Sequence, residues 1–155
     1  MKARMAQVRV MKIIKEKKGQ SLVEFAAMVT VLLIILAGIV DVARMITTWI
    51  TMRDAAQEGA SYGSVFPTYC LQIADRARNN LIDPGNYSIL VYIDGIICST
   101  ATSMQACLGH VVTVNVSQPN FGLTMPFIGA FLGSQTFNLT ASSNDTIIRT
   151  PCHAE

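Results

Sequence analysis

Apolar and polar positions alternate on three different length scales along this chain, and each scale predicts a different element. The longest is the run over residues 22–40, 19 positions in which Glu24 is the sole charge. At 1.5 Å rise per residue a helix of that length crosses a hydrocarbon core of about 30 Å, so the run predicts a membrane span. Beyond it the pattern turns amphipathic: Val42, Met45, Ile46, Trp49, Ile50 and Met52 recur at helical spacing, Asp41 and Arg44 stand three apart, and no proline intervenes before Pro67. The span is therefore expected to continue outside the bilayer as one helix over 20–62, with Gly59 and Gly63 marking its end.

Shorter periods follow. Residues 68–83 begin with Thr68 as a capping candidate, place Leu71, Ala74, Ala77 and Leu81 at helical spacing, and stop at Pro84 and Gly85, which predicts a second helix. Residues 87–93 are almost wholly apolar and end at Asp94-Gly95, residues 111–117 alternate Val112, Val114 and Val116 with polar neighbours, and residues 136–143 alternate Phe137, Leu139 and Ala141. These read as three strands of a short antiparallel sheet laid on the outer half of the long helix. The fold class is α+β: a long N-terminal transmembrane helix continuing into a small extracytoplasmic domain over 63–155. Residues 121–133 form the most apolar stretch outside the span; broken by Pro126 and too short to cross a bilayer, they are expected to cover the inner side of the sheet rather than form a patch for another subunit.

Charge sets the orientation. Residues 1–19 carry a net charge of +6, while the chain from Ile50 onward carries −3. A basic flank before a span stays in the cytoplasm, so the C-terminal part is expected outside. Beside a span this basic segment is read as a topology signal and not as a nucleic-acid surface. With 51% hydrophobic and only 14% charged residues, the composition also departs from that of a soluble domain, about 25% charged. An ordinary cleaved secretory signal does not fit, because the apolar run is too long and no small-x-small site follows it closely. Glu24 then needs a reason, since an ionised carboxylate in hydrocarbon costs at least about 2 to 3 kcal/mol.

The stretch GQSLVEFAAMVTVLLIILAGIVDVARMITTWITMRDAAQEGA, residues 19–60, resembles the TadE-like family of pilin-like proteins of the tight-adherence (Flp-type) branch of type IV pili. The resemblance is carried by Gly19, by Glu24 and Phe25 five and six residues later, by the apolar run, by Asp41 and Arg44 at its far end, and by the Ala-rich tail at Ala55, Ala56, Glu58, Gly59 and Ala60. It implies that a prepilin peptidase cuts between Gly19 and Gln20, removing a basic cytoplasmic leader, 1–19. It implies too that Glu24 becomes the fifth residue of the mature chain and serves assembly. The partners it implies are the membrane, that peptidase, other pilins and the assembly platform. The place it implies is the bacterial inner membrane, crossed once, or the pilus itself. The alternative is a single-pass signal-anchored envelope protein whose outer domain binds something unrelated to pili.

Cys70, Cys98, Cys107 and Cys152 all fall on the expected outer side, where disulfides persist. Pairing Cys98 with Cys107 would close one short loop, and pairing Cys70 with Cys152 would tie back the tail. Zinc is disfavoured because no C-x-x-C spacing occurs and the histidines are His110 and His153 alone. GASYG, residues 59–63, matches the nucleophile elbow G-x-S-x-G but sits at the end of a helix where a strand should lead in. His110 is expected to open a strand and His153 to lie in the tail. The Asn-x-Ser/Thr sites at Asn86, Asn115, Asn138 and Asn144 read as turns and polar strand faces. No enzyme, metal or cofactor is called for.

Overall fold

The computed structural model describes residues 2–102, 105–125, 128–149 and 151. Helix α1 runs Lys2–Val65, α2 spans Cys70–Asn79 and α3 spans Ile128–Leu132. The strands are β1 (Ser88–Ile93), β2 (Ile96–Ile97), β3 (Val111–Gly122) and β4 (Thr136–Thr146). They form one antiparallel sheet in the order β2-β1-β3-β4. The α+β architecture with a long apolar N-terminal helix and a small antiparallel sheet is thus as the patterning implied. Two compact units divide the chain: α1 up to Asp41 together with the segment at Thr124 and Met125, and the remainder from Val42 onward, which holds the sheet.

The sheet's register follows its alternation. Val91 of β1 pairs with Val114 of β3, and Val116 of β3 pairs with Ala141 of β4. Val112, Val114 and Val116 are fully buried, as the two-residue period requires of one face. Asp94 and Gly95 both adopt positive φ, 50° and 80°, the two-residue turn that matches the twist of a hairpin, and they return β1 into β2. The two-residue β2 carries too little pattern to read from sequence. In β3 and β4 the pairing extends past the expected ends, with a register shift between Gln118 and Phe121, where Asn120 takes φ of 60°.

The core of this unit lies between the sheet and the outer half of α1. Met52, Ala55, Ala56 and Ala60 meet Ile73 and Ala77 of α2, the three β3 valines, Val91, Ile93 and Ile147. Gly59 and Gly63 do not end the helix, which continues to Val65. Both are close-approach positions: a Cβ on Gly59 would stand 3.1 Å from Ala77 Cβ, and one on Gly63 would stand 2.8 Å from Val112 Cγ1. The second helix also differs from its reading. It starts at Cys70 after Tyr69, with no side-chain cap, so Thr68 does not cap it, and Leu71 is 82% exposed while Ile73 and Ala77 face the core. Of the four residues counted, Ala74, Ala77 and Leu81, the last just beyond the helix, do turn to the core; Leu71 alone faces outward.

Candidate assembly helix and its membrane edge

Gly19, Gln20, Glu24 and Phe25 all lie on α1 and all are exposed. Gln20 and Glu24 are four apart and so share one helix face. A Cβ on Gly19 would meet nothing within 4 Å. Around them the surface is apolar for a long way: Leu22, Val23, Phe25, Met28, Leu32, Leu33, Ile35, Leu36 and Ile39 are all exposed, Phe25 at 69%. The hydroxyl of Thr30 is spent within the helix, donating to Ala26 O at 2.9 Å. The segment 19–65 is long and apolar enough to cross a membrane, and its most apolar window is unburied by the rest of the chain. A contiguous apolar surface of this extent is built for lipid or for other helices.

At the far end, Asp41 is only 4% exposed. Its carboxylate accepts the Thr124 N–H at 2.9 and 2.8 Å through its two oxygens, and the Met125 N–H at 2.6 Å. Charge-assisted bonds of this kind are roughly twice as strong as neutral ones. Met125 also lies beside Gly38, with Sδ 3.6 Å from where a Cβ would stand. Arg44 places its guanidinium 5.4 Å from the centre of the Phe121 ring, and Phe121 is buried. From sequence, Asp41 and Arg44 are expected as a pair at the membrane edge; nothing there points to Thr124, which stands 83 residues away and contributes a main-chain group with no side-chain signature. Of the apolar stretch 121–133, Phe121 enters the core as expected, whereas Met125 packs on α1.

One disulfide joins Cys70 at the start of α2 to Cys98, which begins the short turn after β2. The expected pairing of Cys98 with Cys107 is therefore wrong, and with it that of Cys70 with Cys152. Loop length in sequence favoured the short closure, but β1 and β2 fold the chain back until Cys98 stands 5.7 Å from Cys70, Cα to Cα, within bridging range. Cys107 is disulfide-bonded as well; Cys152 and His153 lie outside the described residues.

His110 immediately precedes β3, as read, and its Nδ1 donates to Asp94 Oδ2, a residue that sequence reasoning passed over except as a turn. Asp94 Oδ1 accepts the Val111 N–H at 3.0 Å. The His110 hydrogen bond, followed by that from Val111, holds the Asp94 carboxyl below its usual range. Ser61 of GASYG sits inside α1, not at a strand-to-helix turn. A cleft of about 330 Å³ is lined by Thr47, Thr51, Asp83, Asn86, Tyr87 and Gln118 among others, and burial, then the Asp83 charge, pushes the Tyr87 hydroxyl up. Threonine hydroxyls, two amides, the Tyr87 hydroxyl and the Asp83 carboxylate make its lining polar. Among the described residues no three His, Cys, Asp or Glu side chains gather as a metal site.

These features define a small α+β protein carried on one long apolar helix, with its conspicuous chemistry on that helix. Residues 19–61, about a quarter of the chain, match the family model described as TadE-like protein, which bears out the resemblance read over that stretch. No curated protein and no solved structure matches the chain.

Proposed function

We propose that this protein is a minor pilin-like subunit of a tight-adherence (Flp-type) pilus, anchored in the bacterial inner membrane with its N-terminus in the cytoplasm and its sheet domain outside. The match to the TadE-like family across Gly19, Glu24 and Asp41 is the observation that carries this reading. On it, a prepilin peptidase removes residues 1–19 and leaves Gln20 with a free α-amine. When subunits pack helix to helix, the Glu24 carboxylate of one pairs with the Gln20 amine of another, and each offsets a desolvation penalty that neither group could bear alone. The outer domain supports the minor role, since the sheet adds bulk beyond the helix that packs the filament. The helix, disulfides and packed core serve assembly and give no support to catalysis.

Glu24→Gln separates cleavage from assembly. The substitution keeps the size, removes one charge of the pair and eases insertion of the isolated helix. The variant is expected to lose its leader normally, read by the mass of the membrane form, and to be recovered with sheared filaments at about a hundredth of the wild-type level or less, as an unpartnered buried charge costing about 3 to 5 kcal/mol dictates. Gly19→Ala is expected to retain the leader. Because a Cβ at Gly19 meets nothing within 4 Å, that defect reports recognition by the peptidase and not misfolding. Wild-type chain that keeps Met1 when the peptidase is co-expressed would return the protein to the class of signal-anchored envelope proteins.

A further inference from the structure

We propose that the cleft between the outer part of α1, the turn after α2 and strand β3 is a binding site for a primary ammonium group carried on an aliphatic stem. Thr47, Thr48 and Thr51 line it from α1, Asp83 and Tyr87 from the turn that leads into β1, and Gln118 from β3, all within the unit from Val42 onward. The inference concerns that unit alone and does not depend on the assembly reading. What singles the cleft out is an excess of acceptors. The Thr47 hydroxyl donates to Ala43 O at 3.1 Å and to Arg44 O at 2.9 Å, and the Thr51 hydroxyl donates to Thr47 O at 2.9 Å. Each hydroxyl has one proton, so with those protons turned into the helix the two oxygens are left to accept. Gln118 Oε1 is buried and meets no donor among the described residues. A buried carbonyl oxygen without a donor is rare enough to need a reason, and a bound donor supplies one once the soft last torsion of the side chain turns the oxygen towards it.

Asp83 adds the charge. It takes φ of 55° ahead of Pro84, and its carboxylate stands close enough to the Tyr87 hydroxyl to add to the rise that burial causes there. The phenol therefore stays protonated at neutral pH, and among the described residues no lysine, arginine or histidine lines the cleft to answer the acid. Such a wall repels anions. A metal ion finds one carboxylate where a hard cation wants several, and no three His, Cys, Asp or Glu side chains gather among the described residues. An ammonium group brings three donors and a compact positive charge to these oxygens, while Ile82, 77% exposed, and the Tyr87 ring offer its methylene stem an apolar wall. At about 330 Å³ the cleft is at the small end of ligand pockets, suited to a short aliphatic amine. The lysines of the chain, Lys2, Lys12, Lys15, Lys17 and Lys18, all precede Gly19, so a second copy has none to offer from residue 19 onward. The amine comes from elsewhere, as a free diamine or as a lysine of another protein.

The test uses the full chain in detergent micelles with 3-fluorotyrosine at its four tyrosines, Tyr62, Tyr69, Tyr87 and Tyr92, the Tyr87 fluorine signal being the one missing from Tyr87→Phe. Putrescine and Nα-acetyl-lysine amide are titrated separately at neutral pH, with 1,4-butanediol as the uncharged counterpart. The Tyr87 signal is expected to shift saturably with at least one amine and not with the diol, while Tyr62 and Tyr69 stay in place. Tighter binding of putrescine points to a free diamine as the source, tighter binding of the blocked lysine to a protein side chain. Asp83→Asn keeps the left-handed turn, which asparagine tolerates, and is expected to weaken binding about tenfold, as loss of a charge-assisted hydrogen bond does. Thr51→Val has the same shape without the oxygen and is expected to weaken it by a smaller factor. Tyr62, Tyr69 and Tyr92 signals at their wild-type positions show that each variant is folded. A Tyr87 signal that neither amine moves, one that butanediol moves equally, or binding untouched by Asp83→Asn would each overturn the site.

Discussion

Gly63 shows how much a single hydrogen atom in place of a methyl group matters where a helix meets a sheet. A Cβ there would stand 2.8 Å from Val112 Cγ1 and 3.2 Å from Ile73 Cδ1. A β-branched valine in mid-strand has little rotamer freedom with which to withdraw. Gly63→Ala is accordingly expected to destabilise the outer domain by about 1 to 2 kcal/mol, overpacking exceeding the gain of up to about 1 kcal/mol in helix propensity. Thermal unfolding in detergent reads the sign. Asp94 offers a second residue-scale test. Its folded pKa is lowered by His110 and Val111, so its contribution is present above the ordinary carboxylate value of about 4 and is lost as the pH falls through the lower folded value. The stability difference between wild type and Asp94→Asn is thus expected to be under about 1 kcal/mol at neutral pH, as exposed pairs are, and to shrink towards zero on acidification below pH about 4. A difference that grew on acidification would refute the assignment.

Among the elements, α2 depends most on a covalent partner. It has ten residues and no side-chain cap at its start, and Cys70, its first residue, is tied to Cys98. Closing a loop with a separation of 28 residues stabilises by about 3 to 4 kcal/mol on the chain-entropy account. Replacing both cysteines by serine is expected to lower the urea midpoint by that amount divided by the m-value, and to melt α2 first in hydrogen exchange. An unchanged midpoint would show that α2 is held by Ile73 and Ala77 alone. The elements that could be read ahead were those whose signal is periodic and long: the long apolar helix, the alternating valines of β3 and the alternation in β4. What escaped was set by partners far away in sequence. Whether Leu71 or Ile73 faces the core depends on how α2 meets the sheet, β2 exists because Asp94-Gly95 turns β1 onto it, and the Cys70 bridge depends on where that hairpin delivers Cys98.

At the level of the whole chain, charge is sorted by sequence position: a basic first 19 residues, a nearly charge-free apolar run, and a sheet region from 95 to 144 without a formal charge. That order was legible because topology signals are compositional. The family resemblance over residues 19–61 was legible too, since Gly19, Glu24, Phe25, Asp41 and Arg44 are named by their distance from the apolar run. That Asp41 also accepts from Thr124 and Met125 was not, because those two donors are main-chain groups. One feature of the core carries a mechanical consequence. The sheet rests directly on α1 through Ala55, Ala56, Gly59, Ala60 and Gly63, all within the unit from Val42 onward, so helix and sheet share one set of packed atoms there. No slack tether joins them. A pull on the sheet is borne at once by close methyl and glycine contacts, which yield abruptly and do not stretch, so the outer domain should behave under tension as a brittle fitting and not as a spring.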